Sequence, residues 1–437
     1  MDATLQKTAL LVGLLVKKRE EWEDKTPVAW FTARGHHVPV FAGETREDAA
    51  KRYFDYHAKK AGMGVAEDLK KKYAPALQPD GNYDLAKLGE FAEEVEKKDK
   101  KTGEVTKSKV LTFNNQRIEV GDLISVRKPN GPAEYSIDFM MRRAGGEKKL
   151  KKNFLDYSSE YKQKQHEGTF QRIHANAEKH AQLGTLVNAD LQHADEHQRQ
   201  SALVVRLMND TGARIGAKTD KKHRGISSLR VENLRDLPDG GMELKFTGKS
   251  GERLRYQVAP DLVPLLKKQR EGKVPSDRLF NLSRNDVGEY LARVTGSKMH
   301  PHDIRRYHAS IRALGLIALL KPPQKGESYV ELQKRLDKMY VKVAKFLGHK
   351  DAKPKLARTV YSDPDIERAW AEGRLEGLAQ ALHTAVQKAV DELPEEMEIT
   401  PAQEKLLAQW LKRIYGESNR VFAFPEAGDD FDNFVDD

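Results

Sequence analysis

Six side chains of the kinds that grip an anion and move protons follow one another along the second half of the chain: Arg214, Lys249, His302, Arg305, His349 and Tyr361. Guanidinium groups are planar, permanently charged donor forks, and a lysine is a mobile point charge. An imidazole donates or accepts near neutral pH, and a phenol supplies a nucleophilic oxygen. Together these types could perform acid–base and nucleophilic chemistry on an anionic substrate. Each is ordinary alone, since Lys249 suits a turn, Arg305 a helix salt bridge, His349 a helix end and Tyr361 a packed core. Their order and the local pattern around each give the set its meaning.

The elements that must position them are legible in the pattern. Leu203, Val204 and Leu207 recur at helical spacing, and Gly212 and Gly216 then bracket Arg214, placing it at the close of a buried helix. Alternating runs follow at Gly225–Val231, Gly241–Phe246 and Arg253–Val258. The last two read as a hairpin whose turn, Thr247–Glu252, carries Lys249 at its tip. Short helices are expected over 261–297, including Asp286–Arg293. Pro301 starts another helix, on which His302 and Arg305 lie one turn apart and which continues through Ile311, Leu314 and Ala318. The run Pro322–Glu327 breaks it, a helix spans Tyr329–Phe346 and stops at Leu347-Gly-His349, and final helices occupy about 366–391 and 401–415.

The N-terminal third carries no catalytic signature. Residues 3–22 read as an amphipathic helix, Val28–Thr32 and His37–Phe41 as a hairpin, and helices run from Glu44 to about Ala61 and from Val65 to Tyr73. The basic stretch Lys97–Lys109 reads as a mobile loop or linker. Short strands follow at Val110–Phe113, Arg117–Val120, Leu123–Arg127 and Tyr135–Met140. The run Arg142–Lys152 suits either a phosphate grip or a solvated face. From Tyr157 a long helical segment carrying Tyr161, Lys162, Lys164, Arg172 and His174 mixes bases with aromatics, which suits a DNA backbone. Expected domains are a helical and hairpin region over 1–96, a β-rich cap and basic linker over 97–152, a catalytic domain over 153–391, and a C-terminal helix and acidic tail over 392–437.

Composition bounds the function. A chain of 437 residues has room for two or three cores, and its 76 lysines and arginines exceed its 66 acids. Val421–Asp437 holds six acids and no base, so restoring those six to the net +10 leaves about +16 for the rest, a balance that suits a polyanionic partner. The tail reads as disordered and solubilising. There is no cysteine, which excludes disulfides, thiol nucleophiles and thiolate zinc sites. His36 and His37 have no further ligand at suitable spacing, so no metal is expected. The apolar run Thr8–Val16 lacks a signal peptide's basic start and cleavage site, and no run approaches a membrane span. A soluble, cytoplasmic, DNA-associated protein is expected.

The ordered set Arg214, Lys249, His302/Arg305, His349 and Tyr361 resembles the catalytic domain shared by type IB DNA topoisomerases and tyrosine recombinases, over roughly residues 155–385. Within that superfamily, the segment Ala217–Arg224 followed by Gly225–Val231, the run Phe246-Thr-Gly-Lys-Ser-Gly251, the run Val343–His349 and the proline three residues after Tyr361 look like the small viral and bacterial topoisomerases. His302-x-x-Arg305 is recombinase-like, and the interval of twelve from His349 to Tyr361 is longer than either group usually has.

The resemblance implies an α+β fold: a mainly helical catalytic domain with a small antiparallel sheet, plus a mixed α/β cap forming a DNA clamp. It implies a monomer on double-stranded DNA, without cofactor, metal or membrane. In the implied chemistry Tyr361 attacks phosphorus and leaves a 3′-phosphotyrosyl link. Arg214, Arg305 and His349, with His302 beside them, hold the non-bridging oxygens, and Lys249 protonates the leaving 5′ oxygen. DNA contacts are expected from Tyr161, Lys162, Lys164, Arg172, Lys218, Lys221, Lys222, Arg224, Arg306 and Arg358. The alternatives are a tyrosine recombinase or telomere resolvase, which would oligomerise at a defined site, and a DNA-binding protein that retains the fold without cleaving.

Overall fold

The computed structural model describes residues 25–33, 36–60, 72–98, 105–113, 116–129, 133–142, 149–157, 168–216, 223–249, 251–321, 323, 327–349, 352–383 and 399–416. The expected helix over 3–22 and the acidic tail lie outside these residues, as does most of the expected helix over 65–73. The chain is mainly helical with small antiparallel sheets, as the sequence suggests. It forms two compact units, Thr45–His166 and Met1–Glu44 with Glu167–Asp437.

In the unit Thr45–His166, helix α1 spans Arg46–Lys60 and α2 spans Leu85–Glu90. The Asp84 carboxylate caps α2 by accepting from the Ala86 and Lys87 amides. Two three-stranded antiparallel sheets follow, one of β3 (Glu93–Lys98), β4 (Val105–Phe113) and β5 (Gln116–Glu119), the other of β6 (Leu123–Arg127), β7 (Ala133–Arg142) and β8 (Lys149–Tyr157). Aromatic rings fill the core: Tyr73 lies 5.2 Å from Phe113, which lies 5.4 Å from Tyr135.

Two sequence expectations change here. The basic stretch 97–109 is not a loop where it is described, because Lys97–Lys98 and Val105–Lys109 belong to β3 and β4. Glu94 and Glu96 stand opposite Lys109 and Lys107 in register, so cross-strand charge pairing makes these polar residues good strand formers while their heads stay in water. Likewise Lys149–Tyr157 is a strand paired along its length with Ala133–Arg142, and the helix expected from Tyr157 is described only over 168–175.

In the other unit, β1 (Ala29–Ala33) and β2 (His36–Val40) form the expected hairpin. Helices α3 (Ala177–Ala181), α4 (Leu183–Asn188) and α5 (Glu196–Thr211) lead into a sheet of order β11-β10-β9, made of β9 (Leu234–Asp236), β10 (Met242–Thr247) and β11 (Arg253–Gln257). Then come α6 (Val263–Arg270), α7 (Arg284–Thr295), α8 (Pro301–Ala318) and α9 (Tyr329–Phe346). Helices α10 (Pro364–Ala371), α11 (Glu376–His383) and α12 (Pro401–Gly416) complete it. The α9 start is a reciprocal cap in which Ser328 and Glu331 each satisfy the other's backbone amide.

Helix α8 is the axle of this unit. Every residue on it except Arg312 is buried. Ile304 joins a core built on α5 and the β9–β11 sheet, while Tyr307 and the residues after it join a second core shared with α9, α10 and α12. A helix buried on nearly all sides is stable only when surrounded, so α8 locks the two cores together.

Two further expectations are modified. The helix expected over 366–391 breaks between α10 and α11 at Gly373, whose φ of +72° and hydrogen bonds back to Trp370 close the first helix. The strand expected at Gly225–Val231 is a pair of tight turns, because the Ile226 and Ser227 amides bond back to the Arg214 and Ile215 carbonyls rather than to a strand.

Arg358, expected at DNA, is instead turned inward, forked onto both oxygens of Glu367 at 2.7 and 2.6 Å. Burial opposes its charge, but the Glu367 carboxylate overrides this and raises the Arg358 pKa. Removing one member strands the other in the interior, so Arg358→Ala should lower unfolding free energy by about 3–5 kcal/mol in denaturant titration.

Candidate active site

The site is assembled from three helix ends, one hairpin and one π turn. Arg214 comes from the end of α5. Gly212 closes that helix in the left-handed conformation, at φ +62°, with its amide on the Met208 carbonyl. A Cβ at Gly212 would stand 2.6 Å from the Phe346 ring, so this turn tolerates only glycine. Beyond Arg214, Gly216 and Gly225 cross with backbones touching: a Cβ on Gly225 would lie 2.3 Å from the Gly216 nitrogen and 2.5 Å from the Arg214 carbonyl oxygen. This crossing brings Arg224 back beside Arg214, and the Arg224 amide bonds to the Thr247 carbonyl at 2.7 Å, at the base of the Lys249 turn.

His349 comes from the end of α9. The His349 amide bonds to the Ala344 carbonyl and the Gly348 amide to the Lys345 carbonyl, with Gly348 at φ +61°, a reversed turn that throws the imidazole back over the helix end. Leu254 on β11 reaches both sides. Its methyl groups sit where a Cβ on Gly248 (2.9 Å) or Gly348 (2.3 Å) would fall, so the Lys249 turn and the His349 turn rest on one side chain.

Arg305 rises from the first turns of α8, 3% exposed. Its Nη1 donates to the Gly212 carbonyl at 2.6 Å and its Nη2 to the Leu347 carbonyl. Those oxygens terminate α5 and α9, where carbonyls lack partners within their own helices and the dipole favours a cation. Arg305 therefore stitches together the two helix ends that carry Arg214 and His349.

Tyr361 ends a π turn, Ala357–Tyr361, in which the Ser362 amide bonds to the Ala357 carbonyl at 2.9 Å. Such wide turns recur at functional sites. The ring is fully buried in the second core, and cations and imidazoles crowd its hydroxyl and faces. Arg214 Nη2 donates to the phenol oxygen at 2.8 Å, and the Arg305 guanidinium carbon lies 5.1 Å from the ring centroid. The His349 and His302 rings lie at 5.0 and 5.5 Å. Above it is a cleft lined by Arg214, Arg224, Lys249, Arg305 and His349, with Phe246, Gly248, Leu254, Leu347 and Gly348.

This crowding of cations sets the imidazoles' charge. Burial first, then the Arg305 and Arg214 guanidiniums, pull the His349 pKa down to about 3. His302 is held well below its ordinary value by burial and then by Arg306, Arg305, Arg214 and Arg284. Both are neutral at pH 7, and among the described residues neither His302 Nε2 nor either His349 nitrogen has a protein hydrogen-bond partner. Among the described residues no cluster of three or more His, Asp or Glu side chains is arranged to hold a metal ion.

The structure thus brings together Arg214, Lys249, His302, Arg305, His349 and Tyr361, and adds Arg224 from the expected DNA contacts. The other expected contacts lie elsewhere. Arg172 forks onto Asp303 at 3.3 Å, and Arg306 is fully buried with Nη1 4.0 Å from the same carboxylate. Arg358 is paired with Glu367. Tyr161, Lys162, Lys164, Lys218, Lys221 and Lys222 lie outside the described residues. Sequence reasoning missed Leu254 and the Gly216–Gly225 crossing, although a glycine beside each charged residue was the available signal.

Residues 158–372 match the family model of the eukaryotic DNA topoisomerase I catalytic core, a span that holds all six chemical side chains. Over that span, just under half of the chain, the sequence is similar to the catalytic core of the type IB DNA topoisomerases. It is also similar to the DNA topoisomerase 1B of Acanthamoeba polyphaga mimivirus, 22% identical over 170 residues that cover 35% of this chain and 50% of the relative. The chain thus spans about half the length of that relative. The clustered cations and the buried phenol coincide with the matched span.

Two outcomes follow. Gly225→Ala should push the crossed backbones apart, costing about 1–3 kcal/mol of stability and loosening Arg214, measurable by thermal unfolding. Because the folded imidazoles resist protonation that the unfolded chain accepts, their contribution to stability is present above about pH 6.5 and is lost as pH falls toward the depressed values. The melting temperature should therefore drop between pH 7 and pH 4 less steeply in His349→Gln than in the unaltered protein.

Proposed function

We propose that this chain nicks one strand of duplex DNA through Tyr361, lets the duplex turn about the intact strand, and reseals the break. The observation that carries the reading is the hydrogen bond from Arg214 to the Tyr361 hydroxyl beneath a cleft lined by Lys249, Arg305 and His349. The phenol gives its proton to solvent water as its oxygen bonds to phosphorus, and Arg214 stabilises the charge developing on that oxygen. The bond to the 5′ oxygen breaks, and Lys249 gives that oxygen its proton. A 3′-phosphotyrosyl link and a 5′ hydroxyl result.

Arg214 and Arg305 face the non-bridging oxygens as the phosphorane forms, where pre-placed donors lower the barrier most. Neutral His349 retains one N–H for the same oxygens. A phosphate entering the cleft would offset the two guanidiniums and draw the His349 pKa upward. His302 supports the ring from the neighbouring turn. The covalent link conserves the energy of the broken bond, so resealing needs no ATP. In this scheme the chain's own cations perform the charge neutralisation that a metal performs elsewhere.

Double-stranded DNA is the proposed partner of a monomer, with the unit Thr45–His166 as the cap that contacts the duplex and completes a clamp. Binding would rest on phosphate contacts and fall steeply with salt. His302 three residues before Arg305, with its ring against Tyr361, favours tyrosine recombination as the second reading.

Supercoiled plasmid incubated with the protein in EDTA without ATP separates these readings. Relaxation by substoichiometric protein supports the proposal, strand exchange at a defined site without relaxation supports recombination, and binding alone leaves neither standing. Tyr361→Phe should abolish the covalent adduct while DNA affinity stays within about twofold. Lys249→Ala should slow cleavage by about 10²–10⁴-fold and regain speed on a substrate with a 5′-thiolate leaving group, which departs without a proton. Failure of that rescue removes Lys249 from the role of acid.

A further inference from the structure

Tyr361 is gripped from behind as well as from the cleft. Two residues after it, Asp363 caps α10, its Oδ1 accepting from the Asp365 amide at 2.8 Å and its own amide donating to Ser310 Oγ on α8 at 3.1 Å. The second carboxylate oxygen of Asp363 pairs with Nε2 of His174, and both side chains are 1% exposed. The remaining ring nitrogen of His174, Nδ1, lies 2.9 Å from the Leu411 carbonyl oxygen on α12. A carbonyl only accepts, so Nδ1 carries a hydrogen, and the carboxylate at Nε2 draws a second one. Burial opposes the resulting charge on His174, but Asp363 outweighs it.

The connection reaches beyond the part of the chain that matches the family. Helix α12 lies after residue 372, where the matched span ends. Its Leu407, Ala408, Leu411 and Ile414 are buried in the same core as Tyr361. The π turn that carries Tyr361 is therefore fixed at its C-terminal end through three contacts, to α8, to α10's own first turn and, by way of His174, to α12.

We propose that His174 and Asp363, anchored on the Leu411 carbonyl, are positioning residues that hold the Tyr361 backbone at the reach its hydroxyl needs. Helix α12 is thereby a working part of the catalytic unit. The inference rests on Tyr361 being the nucleophile. A buried ion pair that served stability alone would leave the tyrosine where it is once the protein is folded. A positioning pair acts on the reacting oxygen, because a nucleophile displaced by about 1 Å loses on the order of 10²-fold in rate.

Three substitutions separate the contacts. In His174→Gln the amide nitrogen can occupy the place of Nε2 and keep the bond to Asp363. In His174→Asn it can occupy the place of Nδ1 and keep only the bond to Leu411. His174→Ala loses both. Single-turnover cleavage at saturating DNA is measured beside DNA affinity, the latter in a Tyr361→Phe background. In parallel, a 3-fluorotyrosine placed at position 361 reports the ring's surroundings by fluorine NMR in DNA-free protein.

Cleavage by His174→Ala should slow by about tenfold or more with affinity within about twofold, and the fluorine resonance should shift or broaden. His174→Gln should recover more of the rate and of the resonance than His174→Asn. A His174→Ala rate within about twofold of the unaltered protein, an affinity loss that matches the rate loss, or an unmoved resonance would each overturn the proposal. An unaltered protein that forms no adduct would instead sink the topoisomerase reading, and the fluorine resonance alone would then judge the positioning role.

Discussion

Crowding of cations around one buried phenol is the constraint on which the rest of this structure depends. Arg214, Arg224, Lys249 and Arg305 line one cleft, and among the described residues that line it none is acidic. Like charges at such range disfavour one another and any further proton, which is why His349 and His302 are driven to their neutral forms. Such a cluster persists only when packing holds it. An entering phosphate relieves it, so binding the anion and relaxing the protein act in the same direction.

The holding is done by backbone more than by side-chain pairing. Arg305 spends two donors on the terminal carbonyls of α5 and α9, and so turns two unsatisfied helix ends into the walls of the cleft. Glycines let the strands of the site touch: Gly216 against Gly225, Gly212 against Phe346. Carboxylates are kept behind the site. Asp303 faces Arg172 and Arg306, and Asp363 faces His174, where they steady the framework without cancelling the charge in front.

Much of the site was legible because its signals are local. Helix α9 and its Leu347-Gly-His349 stop, the proline start of α8 and the β10–β11 hairpin with Lys249 on its turn are each written in a short window of sequence. What could not be read depends on faces that only packing chooses. Arg358 and Arg306 resemble any exposed base until Glu367 and Asp303 are seen beside them. The stretch around Lys107 looks like a solvated linker until Glu96 stands opposite. Gly225 begins an alternating run, yet its contact with Gly216 bends the backbone away from any strand. The partnership of His174 with Asp363 joins segments on opposite sides of the catalytic sequence, and no spacing rule reaches that far.

Leu254 has a mechanical consequence. Because its two methyl groups fill the hollows left by Gly248 and Gly348, the hairpin tip and the end of α9 are wedged at a set separation. The Lys249 turn and the His349 turn thereby keep one spacing beside the Arg214 and Arg305 guanidiniums. An anion held in the cleft would therefore meet the ammonium and the imidazole at a separation that packing has already chosen.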